Sequence, residues 1–133
     1  MRGFLRQARG VLTFGVLTVN TVFWFVPVMT LAFLKLLLPI AGVRRELTRW
    51  LMWLAENWIA VNGLTLRGVG SREWRAEGAE SLDRNGWYLV LANHQTWVDI
   101  VVLQVALNRR IPLLKFFIKQ QLIWFPLLGL GFW

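Results

Sequence analysis

Cysteine is absent from the 133 residues, and histidine and tyrosine occur once each. No disulfide framework and no thiolate metal site can form without cysteine, and a single imidazole, His94, is too few for a histidine-based one, so no metal is expected. Acids are scarce as well, with seven Asp and Glu against fifteen Lys and Arg and a formal charge of +8. Before position 50, Glu46 alone opposes Arg2, Arg6, Arg9, Lys35, Arg44, Arg45 and Arg49. These arginines flank long apolar segments and form no groove-reading motif, so nucleic acid is not the expected partner.

What the chain has in quantity is apolar mass. Hydrophobic residues make up 56%, with nine Trp and nine Phe, which exceeds what a soluble domain of this length can bury. A membrane location follows. Basic residues beside apolar segments favour the cytoplasmic face and anionic lipid headgroups, so the expected setting is a membrane with the functional site facing the cytoplasm, the inner membrane in a bacterium.

Residues 10–42, "GVLTFGVLTVNTVFWFVPVMTLAFLKLLLPIAG", carry one charge, Lys35. A straight helix of that length measures about 50 Å, against about 30 Å of hydrocarbon. It must tilt, or bend at Pro27, and the basic flanks at both ends favour embedding over a clean crossing. No small-residue cleavage site marks it as a signal peptide. In residues 43–61, Leu47, Trp50, Leu51, Leu54, Trp58 and Val61 recur at helical spacing with Arg45, Thr48, Arg49 and Glu56 opposite, the pattern of an interfacial helix or of one packed on a core.

After Asn62-Gly63 the texture changes, giving an expected division into a membrane-associated helical region, 1–62, and the N-terminal part of an α/β domain, 63–133. "LTLRGVG" and "REWRAEG" alternate as strands do. Asn85-Gly86 turns into "WYLVLA", 87–92, an apolar run suited to a buried strand. A helix over Thr96–Asn108, Pro112, and "LLKFFI", 113–118, complete a strand-helix-strand crossover with parallel strands. The expected fold class is therefore α/β: membrane-embedded helices followed by a partial mixed sheet.

The chemistry-bearing stretch is "NHQTWVD", 93–99. On one continuous helix His94 and Asp99 would point about 140° apart. Thr96, however, is a good N-cap, with Asp99 at the third helical position, so the helix starts after His94 and Asp99 can reach back to one imidazole nitrogen. That fixes the tautomer and leaves the other nitrogen to take a proton from a substrate hydroxyl. No protein nucleophile stands nearby. The same residues can equally be a cap with a satisfied polar histidine.

"LANHQTWVDI" resembles the first motif, N-H-x-x-x-x-D, of the glycerolipid and lysophospholipid acyltransferase family, through Asn93, His94 and Asp99. "IKQQLIWFPLLGLGFW" resembles its K-x-E-L-x-x-x-P-x-x-G segment through Lys119, Leu122, Pro126 and Gly129, with Gln121 in place of the glutamate. The resemblance implies acyl transfer from an acyl-CoA or acyl carrier protein thioester, as co-substrate and with no bound cofactor, to the free hydroxyl of a lysophospholipid such as 1-acylglycerol-3-phosphate. It implies His94 as general base, Asp99 as its support, and a substrate-binding role for Lys119, which can also be an ordinary helix-start lysine. The implied partners are membrane lipids, the lysophospholipid acceptor and the acyl donor.

The family's G-x-x-F-I-x-R and E-G-T motifs do not occur before Trp133, so the sequence looks like the N-terminal part of a longer enzyme and is expected to be weak or inactive alone. The alternative is a small membrane-associated interaction protein in which His94 is structural. A hydrolase is weaker, because no nucleophile elbow is present.

Overall fold

The computed structural model describes residues 2–69, 75–93 and 95–116. They form three α-helices, α1 (Arg2–Leu37), α2 (Ala41–Gly68) and α3 (Trp97–Leu107), with a 3-10 turn at Ala79–Ser81.

Helix α1 continues through Pro27 and spans 36 residues, about 54 Å. Thr13, Thr18, Thr21 and Thr30 each donate their hydroxyl to the carbonyl four residues earlier, at 2.8–2.9 Å, so no hydroxyl among them needs a solvent partner. Lys35 in the last turn complements the helix dipole. Leu38 N–H closes the helix on Leu34 O at 3.0 Å, and Pro39, having no N–H to donate, turns the chain into α2.

The two long helices pack antiparallel. Less exposed positions recur on α1 at Thr13, Leu17, Asn20, Trp24 and Leu31, and on α2 at Leu47, Leu51, Leu54, Trp58, Asn62 and Thr65, the three- and four-residue spacing of facing stripes. Asn20 Nδ2 donates to Asn62 Oδ1 at 2.8 Å and to Trp58 O at 3.3 Å, and Trp58 Nε1 donates to Thr21 Oγ1 at 3.3 Å. Trp24 meets Trp53 edge to face, and Trp53 meets Trp50 the same way, at centroid distances of 6.4 and 5.9 Å. The outer face of α1 stays apolar and exposed, with Val11, Leu12, Val19, Val22, Phe23, Val26 and Phe33.

Helix α3 runs back along α2. Val105 sits over Gly63, whose missing side chain leaves the space, and Asn108 Nδ2 donates to Glu56 O at 3.0 Å. The core is thin: Leu17, Leu54, Ile59, Leu66, Ala79 and Ile111 are the buried hydrophobic residues among those described.

No strand or sheet exists among the described residues, which overturns the expected mixed sheet and its strand-helix-strand crossover. Residues 64–68 of "LTLRGVG" lie in α2, where Thr65 and Leu66 are buried and Leu64 is exposed. The Asn-Gly pair reads locally as a breaker, but Asn62 is held by Asn20 and Gly63 by α3, and this packing overrides propensity. Residues 75–77 of "REWRAEG" pair with nothing as strands do, and 72–74 lie outside the described residues. Residues 87–92 and 113–116 run without a ladder, with Leu89 and Leu91 largely exposed. A strand is stabilised by its neighbour's hydrogen bonds and side chains, and α3, which should cover such a sheet, packs on α2 instead. Residues 117–118 and the segment "KQQLIWFPLLGLGFW" lie outside the described residues.

Candidate active site

Thr96 has extended backbone angles and is the N-cap of α3, with Asp99 at the third helical position in a capping box. The Asp99 carboxylate does most of the visible work. Its Oδ2 accepts from the backbone N–H of Thr96 at 2.9 Å and of Gln95 at 3.0 Å. The backbone of Gln95 and Thr96 is thereby tied to the first turn of α3 through one carboxylate oxygen, and the negative charge lies at the favourable end of the helix dipole. Asn93, Thr96 and Asp99 are exposed. His94 and Lys119 lie outside the described residues. The structure therefore shows the Thr96–Asp99 capping box at the start of α3, with Asn93 exposed before it, and does not address His94.

Trp97, the first residue of α3, meets Phe14 of α1 edge to face at 6.1 Å. With Val105 over Gly63 and Asn108 at Glu56, this contact sets α3 antiparallel to α2, with its N-terminus near the C-terminal end of α2 and the first half of α1. Gln95 and Thr96, just before α3, consequently stand at the end of the hairpin where Arg67 lies in the last turn of α2.

The other end of α3 carries a feature that sequence reasoning misplaced. Glu56 reads as part of a polar outer face, but its side chain is 12% exposed and faces two arginines. Arg84 Nη2 donates to Glu56 Oε1 at 2.7 Å, and Arg109 Nε approaches Glu56 Oε2 at 3.5 Å. Arg109 Nη2 also donates to Asn57 Oδ1 at 3.1 Å. Helical periodicity puts Glu56 among polar residues, and no local spacing links it to positions 84 and 109. The available signal was subtler: Glu56 is the one charged residue between Arg49 and Arg67 in α2.

No group of three or more His, Cys, Asp or Glu side chains among the described residues could hold a metal ion.

The sequence model of the Acyltransferase family matches residues 73–133. The likeness covers 61 of the 133 residues, so this segment is similar to the acyltransferase family. The matched segment contains the whole of "NHQTWVD", α3, and Lys119, while α1 and α2 precede it. No curated protein and no solved structure matches the chain.

Proposed function

We propose that the protein is a membrane-bound acyltransferase that moves an acyl group from a thioester, acyl-CoA or acyl carrier protein, to the free hydroxyl of a lysophospholipid such as 1-acylglycerol-3-phosphate. The observation that carries this reading is the coincidence of the acyltransferase match with the N-H-x-x-x-x-D loop set on a capped helix. In the reaction, His94 takes the proton of the acceptor hydroxyl while its oxygen attacks the thioester carbonyl. The tetrahedral intermediate then collapses with the thiolate leaving, and the proton on His94 passes to the sulfur. Asp99, pinned by two backbone amides, orients and supports His94, and Lys119 assists an anionic acceptor.

Membrane placement supports the same reading. Helix α1 is long and apolar enough to cross a bilayer, and only 17% of its apolar window is buried, unlike the core helix of a soluble protein. A hairpin crossing perpendicular to the bilayer would put Glu56, Arg84 and Arg109 near mid-height, about 22 Å along α2. Charges at the bilayer centre cost about 3 kcal/mol each even on the mildest scale. Lying in the plane avoids this, with the outer face of α1 in the acyl chains and the Trp and Arg residues of α2 at the headgroups, on the cytoplasmic side.

One observation favours a second reading: the capping box by itself accounts for Asp99, as it would in an interaction protein without catalysis. The deciding experiment supplies a long-chain thioester with lysophosphatidate, with lysophosphatidylcholine, or with no acceptor, in the longest natural polypeptide that contains this sequence. The proposal expects diacyl product that depends on acceptor. Thioester loss without acceptor indicates a hydrolase, and no turnover in any arm refutes the enzyme reading.

A further inference from the structure

Helix α3 is apolar at every position except Asp99 and Gln104 and has no buried residue. Hydrophobic contact has no direction, so such a helix can turn about its axis against α2 with little change in energy. Val105 in the Gly63 niche fixes where α3 lies along α2 and constrains its rotation only locally. Polar contacts at its C-terminal end supply the rest. Asn108 Nδ2 donates to Glu56 O, Arg109 bonds Asn57 and pairs with Glu56, and Arg84 closes on the same carboxylate. Arg109 is held with φ of 62°, a conformation that non-glycine residues adopt at a cost and that the surrounding contacts must sustain.

We propose that Glu56 is a positioning residue for the reaction: its two-arginine clamp sets the rotation of α3, and so the direction in which Asp99 and the backbone of Gln95 and Thr96 face at the other end. The inference rests on the acyl-transfer reading of His94 and Asp99. The lever is short and stiff, eleven residues or about 16 Å, and its N-terminal bearing is the contact of Trp97 with Phe14.

The absence of cysteine allows a direct readout of rotation in the 133-residue chain. Cysteine is placed at Phe14 and at either Trp97 or Val98, and a short bis-thiol crosslinker is applied in phospholipid vesicles. The clamp predicts that position 97 is captured in preference to 98. Glu56→Ala and, separately, Arg109→Ala should level that preference while helical content and vesicle binding stay constant, and Glu56→Asp should restore part of it. In the acyl-transfer assay, Glu56→Ala lowers kcat about ten- to a hundredfold with KM unchanged, the size of effect that misplaced catalytic groups produce. An undiminished preference for 97 in both alanine variants overturns the proposal whether or not turnover is seen. Absence of turnover in the unsubstituted protein instead removes the acyl-transfer reading and leaves the crosslinking result standing.

Discussion

Gly63→Ala sets two effects of similar size against each other, and the structure decides where each acts. A Cβ at position 63 would stand 2.6 Å from Val105 Cγ1, 3.4 Å from Cγ2 and 3.6 Å from Cβ. Carbon atoms prefer about 3.5–4.0 Å, so the shortfall is roughly 1 Å. Valine in a helix is held to one χ1 rotamer, and turning it brings another part of the side chain into the gap, so α3 itself must retreat. Overpacking of this kind costs about 1–3 kcal/mol. Alanine in place of glycine inside a helix returns about 1 kcal/mol, and that gain belongs to α2. The net change should be a modest loss, unevenly distributed. Amide hydrogen exchange in bicelles should show protection in α2 held or raised and protection in α3 reduced. Val105→Ala removes two half-buried methyl groups, at most about 1.6 kcal/mol. Combined with Gly63→Ala it relieves the clash, so the double variant should be more stable than the sum of the singles by about 1–3 kcal/mol. Raised protection in both helices, or an additive cycle, would refute the contact and the placement of α3 with it.

Other substitutions probe the remaining joints. Asn62→Ala leaves the buried Asn20 amide with only the 3.3 Å contact to Trp58 O and should destabilise the hairpin by about 1–3 kcal/mol in detergent unfolding, whereas Asn20→Leu with Asn62→Leu should be close to neutral. Arg109→Gly and Arg109→Ala lose the same guanidinium contacts, but glycine accepts φ of 62° freely, so the glycine variant should have the higher stability by about 1 kcal/mol. Asp99→Ala removes the carboxylate half of the capping box and should lower exchange protection in the first turn of α3 by about fivefold, equivalent to about 1 kcal/mol. An unchanged first turn would show that Asp99 is not needed as a cap.

The helical half of the fold was legible because its signals are local and periodic. The apolar run of α1, the stripe of α2, and Thr96 with Asp99 at the start of α3 all depend on spacing within a few turns. The reading failed where burial had to be assigned to a particular partner. "WYLVLA" and "LLKFFI" say only that apolar residues are concentrated, and "LTLRGVG" alternates as a strand would, yet Asn20 and Val105 keep the last of these helical through contacts more than 40 residues away in sequence. Glu56 was misplaced for the same reason, since its partners at 84 and 109 leave no trace in the local pattern. In the candidate site, sequence supplied the residue types and the cap. The tying of Asp99 Oδ2 to two backbone amides emerged only from the three-dimensional arrangement.

The role proposed for His94 is that of base in an acyl transfer. Its most direct test is the rate of acyl transfer from a long-chain thioester to lysophosphatidate by the unsubstituted protein and by His94→Ala, each in the longest natural polypeptide containing this sequence and at matched membrane occupancy. Loss of a general base predicts a fall in kcat of about 10²–10⁴-fold with membrane binding unchanged. Turnover by His94→Ala equal to that of the unsubstituted protein would contradict the account.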